Sequence, residues 1–147
     1  MTATRAWGAT APTATLEPFD IDRRALRDDD VAIAIAYCGV CHSDLHAARN
    51  DWGRTNYPFV PGHEIVGTVS AVGAGVTRFK VGDRVAVGTL VDSCRHCDAC
   101  EEGEENYCRN GSTGTYNGKD RIDGSPTFGG YSAGIVVAEP FVLRLPD

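Results

Sequence analysis

The clearest signal along the chain is a period-two run of apolar residues. In "VAIAIAYC", from Val31 to Cys38, bulky Val31, Ile33, Ile35 and Tyr37 alternate with small Ala32, Ala34, Ala36 and Cys38. Successive side chains of a strand point to opposite faces, so this run predicts a strand with one bulky face and one tightly packed face. "EIVGTVSAVG" (Glu64 to Gly73) predicts a second strand, with Gly67 at a bulge or a close backbone approach. "DRVAVG" (Asp83 to Gly88) after a Gly82-Asp83 turn, "YSAGIVVAE" (Tyr131 to Glu139) and "FVLRLP" (Phe141 to Pro146) predict three more. One short helix is predicted over His42 to Asn50, directly behind the first strand. From Asn110 to Gly130 the chain is rich in Gly, Ser, Thr, Asn and Asp and reads as a long surface loop. Many short strands between turn signals predict a mainly β barrel or sandwich with short helices.

Composition narrows the class. With 147 residues, 42% hydrophobic and 23% charged, the chain has the length and composition of one soluble domain with its own core. A formal net charge of −6 argues against a nucleic-acid partner, because phosphate backbones are bound by clustered Lys and Arg. No apolar run approaches the ~20 residues that span a bilayer, so no membrane partner is expected. The N-terminal "MTATRAWGATAPTATLEPFD" lacks the charged start and apolar stretch of a secretion signal. A cytoplasmic, reducing compartment is therefore expected, where a cysteine cluster is metal-binding or catalytic rather than disulfide-bonded.

"SCRHCDACEEGEENYC" provides such a cluster. Cys94, Cys97, Cys100 and Cys108 follow C-x2-C-x2-C-x7-C. Four closely spaced thiolates are a structural zinc set: all four tetrahedral positions are filled by protein and none is left for water or substrate. The lobe from 93 to 110 has few apolar residues, so the ion's binding energy would hold it folded. A bacterial-type iron–sulfur pattern would continue C-x3-C-P, and no proline follows Cys108. Two local disulfides are the other alternative, disfavoured by the compartment. Glu101, Glu102, Glu104 and Glu105 read as a solvated acidic face.

The remaining cysteines lie in "YCGVCHSDLH" (Tyr37 to His46), and "PGHEIVG" (Pro61 to Gly67) follows about twenty residues later. Cys38-x-x-Cys41 has redox-pair spacing, but such pairs open a long helix in a βαβ unit, and no such unit is evident. Taken singly, a histidine here is most simply a packed or surface residue. The combination of "GVCHSD" with "GHEIVG" is more specific.

With "GVCHSDLH", "YPFVPGHEIVGTV", "GDRVAVG", the four-cysteine lobe and "GGYSAGIVV" in that order, the chain resembles the zinc-dependent medium-chain alcohol dehydrogenases, in particular the cinnamyl alcohol dehydrogenase-like branch. The resemblance covers nearly all of residues 1–147 and implies a GroES-like β-barrel catalytic domain. It implies that Cys41 and His63 bind a catalytic zinc, with Glu64 a neighbouring or alternate ligand. It implies that Ser43 takes the alcohol proton and His46 passes it outward, while Asp44 orients the ligand-bearing groups. His42 stands where the family often has a basic residue facing the cofactor pyrophosphate. Cys38 is expected to be packing rather than ligand, and Trp52 and Tyr116 are candidate pocket residues. The implied reaction is reversible oxidation of a primary alcohol to its aldehyde with hydride transfer to NADP, in an enzyme that is a homodimer at full length.

The family's third protein ligand to that zinc and its nucleotide-binding Rossmann domain find no counterpart here. Gly73-Ala74-Gly75 continues Val76-Thr77-Arg78, which is not G-x-G-x-x-G. The expectation is the first part of a longer enzyme, inactive alone, with an incomplete barrel whose apolar edges invite pairing. The alternative function is a non-catalytic zinc-stabilised β-barrel interaction module.

Overall fold

Valine and isoleucine at alternate strand positions build the centre of the molecule. A computed structural model describes residues 2–146; Met1 and Asp147, the ends of the expected 1–147 domain, lie outside the described residues. The chain begins with a hairpin of β1 (Thr2–Gly8) and β2 (Glu17–Arg23). Then come β3 (Asp30–Cys38), α1 (His42–Ala48), β4 (Ile65–Val72) and β5 (Arg84–Val87). The cysteine lobe is framed by β6 (Leu90–Asp92), α2 (Asp98–Glu101) and β7 (Thr113–Gly114). β8 (Gly134–Ala138) and β9 (Leu143–Arg144) follow.

Five strands form one antiparallel sheet in the order β8-β3-β4-β5-β9, leaving β8 and β9 as its edges. Val31 and Ile33 of β3, Ile65 and Val69 of β4, Val85 and Val87 of β5, and Ile135 and Val137 of β8 close one core, with Val142 beside them. Burying each such side chain stabilises the fold by roughly 1.5–3 kcal/mol. A smaller core joins the hairpin to the rest: Ala6, Ile21 and Val60 meet Phe19, Phe128 and Tyr131.

β3 departs from the expected two-faced strand. Ala34 and Ala36 are exposed, so the small-residue face is solvated rather than tightly packed. A register shift between Ile35 and Tyr37 turns Tyr37 outward, 77% exposed, and brings Cys38 against the main core. An extra residue in one strand reverses the inward and outward alternation beyond it. Gly67 is the expected close approach: a Cβ there would lie 2.3 Å from the Ala34 carbonyl oxygen.

Two expected strands are shorter than their apolar runs. The Tyr131 strand starts only at Gly134, because the amides of Gly129, Gly130 and Tyr131 bond to Val60, Gly62 and Pro61 instead. In the Phe141 run only Leu143–Arg144 is strand; a 3₁₀ turn over Glu139–Phe141, with Pro140 unable to donate, precedes it. The segment from Asn110 to Gly130 is largely loop, as expected. It is anchored where Arg27 pairs with Asp120 at 2.9 Å and with Asp123 at 2.9 Å, and Arg24 reaches Asp120 at 3.1 Å.

Candidate metal centre and active-site cleft

α1 is short, and its first turn carries the chemistry. Cys41 stands at the N-cap, and Asp44 at the third helical position accepts a hydrogen bond from the Cys41 amide at 2.9 Å. This back-bond satisfies one of the free donors at the start of a helix. The helix ends by Ala48, two residues before the expected Asn50, and Asn50 itself adopts φ 59°, a helix-stopping conformation that Asn tolerates.

The other Asp44 oxygen accepts from the Gly62 amide at 2.8 Å. One buried carboxylate, 4% exposed, thus ties the Cys41 turn to the Pro61–Gly62–His63 turn. The oxygen that accepts from Gly62 lies 3.9 Å from His63 Nδ1, too far for a hydrogen bond. Around this tie, the ligand atoms of Cys41, His63 and Glu64 all lie within 4.8 Å of one another. Glu64 is exposed and lies over Gly39, where any side chain would collide with its carboxylate. Sulfur, imidazole and carboxylate are a donor set suited to zinc, and three protein ligands leave a position free, as catalytic zinc requires.

Ser43 lies beside this trio. Its hydroxyl donates to Cys41 Sγ at 3.2 Å and accepts from the Tyr116 phenol at 3.3 Å. Tyr116 also tilts over His63, ring centres 5.3 Å apart, and meets Phe59 edge-on at 5.1 Å. Burial raises the Tyr116 pKa, against the opposing Ser43 bond, so the phenol stays a donor at neutral pH. A cleft of about 270 Å³ opens over Ser43, His63, Tyr116, Trp52 and Arg54. Both candidate pocket aromatics therefore line the same space, with Arg54 over the Trp52 ring at 5.6 Å.

The two remaining histidines of α1 point elsewhere. His42 is exposed and stacks on His46 with ring centres 4.9 Å apart. His46 Nδ1 faces Asp51 at 2.7 Å, and among the described residues no hydrogen bond links it to Ser43. Cys38 is half-buried, and burial raises its thiol pKa. A Cβ on Gly62 or Gly130 would lie 2.7 or 2.9 Å from Cys38 Sγ, so this sulfur fills a space that only glycines leave.

The second cluster sits in the lobe between β6 and β7. The Sγ atoms of Cys94, Cys97, Cys100 and Cys108 lie within 4.8 Å of one another. Sulfurs on zinc bonds of about 2.3 Å in a tetrahedron lie about 3.8 Å apart. The observed Cys97–Cys100 and Cys94–Cys100 separations are 3.5 and 3.9 Å. Both are far beyond a sulfur–sulfur bond, and all six cysteines are free. Backbone amides aim at the sulfurs: Cys94 N at Cys108 and Arg109 N at Cys97, each 3.4 Å. The His96 amide and the Asn110 side chain pull the Cys94 thiol down to about 5. The cluster therefore presents a preformed four-sulfur cage. Arg95, at φ 64°, fastens it to the barrel through Asp29 at 2.5 Å and Asp92 at 2.8 Å. Glu101, Glu102 and Glu104 face solvent, as expected of an acidic surface, and Glu105 is partly buried.

Sequence reasoning missed Arg23, which ends β2 with its guanidinium buried. The only signal was its period-two place after Phe19 and Ile21 on the inward face.

Residues 27–147 match the alcohol dehydrogenase GroES-like domain family. A probable cinnamyl alcohol dehydrogenase 8B of Oryza sativa subsp. japonica is 56% identical over 140 residues, 95% of this chain and 32% of that protein. An NADP-dependent alcohol dehydrogenase C 1 of Mycolicibacterium smegmatis is 55% identical over 148 residues, covering 100% of this chain and 42% of its own length. Among solved structures, a cinnamyl alcohol dehydrogenase of Sorghum bicolor superposes with TM-score 0.96 at 46% identity, over 99% of this chain and 41% of that one. One from Helicobacter pylori, complexed with NADP(H), gives 0.94 at 40% identity, over 98% of this chain and 42% of that one. The chain thus spans about a third to two-fifths of the length of these relatives. Among the described residues no helix is long and apolar enough to cross a membrane. By this match, and by the mainly β architecture that carries the two clusters, the chain belongs to the alcohol dehydrogenase GroES-like domain family.

Proposed function

We propose that this chain is the zinc-holding catalytic part of an NADP-dependent alcohol dehydrogenase that interconverts a primary alcohol and its aldehyde. The observation that carries the reading is the convergence of Cys41, His63 and Glu64 beneath a cleft, with the Ser43 hydroxyl in contact with the Cys41 sulfur. A pure interaction scaffold has no use for that arrangement. The cinnamyl alcohol dehydrogenase relatives support an aromatic substrate class, and the Mycolicibacterium relative supports NADP.

Cys41, His63 and Glu64 would hold one zinc, and the four thiols from Cys94 to Cys108 a second, structural one. When bound, the first ion supplies a Lewis acid that makes an alcohol hydroxyl acidic near neutral pH. NADP, when bound, would supply a hydride acceptor. The protein's own residues manage the proton. Ser43 donates to Cys41 Sγ and accepts from Tyr116, which leaves its second lone pair for the alcohol hydroxyl; on taking that proton Ser43 would turn from Cys41 and release its own hydrogen to solvent in the cleft. Asp44 holds the Cys41 and His63 turns at a fixed separation. His46, paired with Asp51 and not hydrogen-bonded to Ser43, would take the proton only by way of solvent, and exposed His42 would be available to the cofactor phosphates. Trp52 and Tyr116 bound the substrate's apolar part. The enzyme is cytoplasmic and acts as a homodimer.

The test is to graft these residues in place of the matching segment of the Mycolicibacterium relative. NADPH oxidation dependent on an aromatic aldehyde, abolished by Cys41→Ala or His63→Ala, is expected. A folded, zinc-replete graft without aldehyde-dependent oxidation would sink the reading.

A further inference from the structure

Arg23 is 9% exposed, yet every acceptor around its guanidinium is uncharged. Nε donates to the Gly134 carbonyl at 2.9 Å and Nη1 to the Phe128 carbonyl at 2.6 Å. Nη2 donates to the Gly129 carbonyl at 2.8 Å and to Ser132 Oγ at 2.7 Å. Burial lowers its pKa to about 10, so the group remains a cation at neutral pH. A buried charge with no counter-ion is costly to desolvate, and here four hydrogen bonds to a single segment offset that cost. Its retention asks what geometry it maintains.

The four acceptors all lie on one strap, residues 128–134. That strap returns three backbone hydrogen bonds to the turn before His63: Gly129 to Val60 at 2.9 Å, Gly130 to Gly62 at 2.8 Å and Tyr131 to Pro61 at 3.0 Å. The fit leaves no room for a side chain, since a Cβ on Gly129 would stand 2.2 Å from the Pro61 oxygen. From Gly62 the chain of contacts continues through Asp44 to the Cys41 amide. Arg23 therefore begins an unbroken hydrogen-bonded path that ends at both ligand-bearing turns.

We propose that Arg23 is a positioning residue for the Cys41–His63–Glu64 site: it fixes the 128–134 strap, and the strap fixes the Pro61–Gly62 turn that aims His63 at Cys41. The proposal rests on the reading that these three residues hold zinc. It assigns Arg23 no part in the four-thiol lobe, with which it shares no contact among those described.

The test compares wild type, Arg23→Met and Arg23→Lys as zinc-loaded protein, titrated against a chromophoric chelator. Cys41→Ala identifies which of the two binding steps belongs to the Cys41 site. Arg23→Met should weaken that step about 10–100-fold, the range found when groups supporting metal ligands are removed. Binding at the four-thiol lobe should stay at wild-type strength, and Arg23→Lys should fall between. Cobalt in the Cys41 site should also give a visible spectrum altered by Arg23→Met. A folded Arg23→Met protein with wild-type affinity at the Cys41 site overturns the proposal, as does equal weakening at both sites. Wild-type protein that binds only one zinc overturns the underlying reading, and the proposal with it. If Arg23→Met does not fold, Ser132→Ala removes one acceptor and keeps three; a several-fold loss confined to the Cys41 site is expected, and no loss there overturns the proposal.

Discussion

Tyr116 and Ser43 share a hydrogen bond of 3.3 Å, and it decides how many lone pairs Ser43 offers to the cleft. Tyr116→Phe keeps the ring over His63 and against Phe59 but removes the donor. A neutral hydrogen bond contributes about 1 kcal/mol, so turnover in the grafted enzyme should fall about fivefold. KM and zinc content should change little. Steady-state kinetics with a parallel metal assay checks this; a loss of zinc instead would make Tyr116 a support for His63.

The two clusters should separate by metal content and melting. Cys94→Ala should lose one zinc and lower the melting temperature sharply, because the lobe has little apolar core and depends on its ion. Cys41→Ala should lose the other zinc and melt near wild type. Elemental analysis and calorimetry on both variants settle the division.

Asp44 supplies both acceptors that join the Cys41 and Gly62 turns. Asp44→Ala leaves two amides without that acceptor, at roughly 1–3 kcal/mol for each one left unsatisfied. Denaturant unfolding should show the destabilisation, and zinc at the Cys41 site should weaken while the four-thiol lobe keeps its ion.

Asp120 carries a pH-dependent contribution. Burial opposes its charge, but Arg27 and the Ile122 and Asp123 amides overcome that and hold it down to about 2, from 3.8. A depressed carboxylate stabilises the fold fully above its unfolded pKa and loses that stabilisation as pH falls through the folded value. Wild type should exceed Asp120→Asn by on the order of 2 kcal/mol at neutral pH, with the difference closing between about pH 4 and 2. Urea melts across that range test it.

The sheet that carries the main core was legible because its strands keep bulky residues at alternate positions, as in Val31 and Ile33, Val85 and Val87, or Ile135 and Val137. The β1–β2 hairpin was not. Its inward face runs Phe19, Ile21, Arg23, and a buried cation at the third place breaks the hydrophobic pattern that a single sequence offers. The bulge before Tyr37 was equally silent, since a register shift depends on the partner strand. The four-cysteine set was readable from residue type and spacing, and Cys41, His63 and Glu64 were readable only through the family resemblance. The links among them, Asp44 to Gly62 and Tyr116 to Ser43, join distant segments and required the fold.

Arg95 has one further consequence. It stands between the first two cysteines of the lobe and reaches back to Asp29, so an emptied cage would not drift free of the barrel. The leash leaves the Cys94–Cys108 loop as long as before; as a partly exposed ion pair, worth about 0–1 kcal/mol, it biases the start of that loop toward the barrel. Reloading would then start from a moored segment, and breaking the leash should slow zinc capture more than it weakens the ion once held.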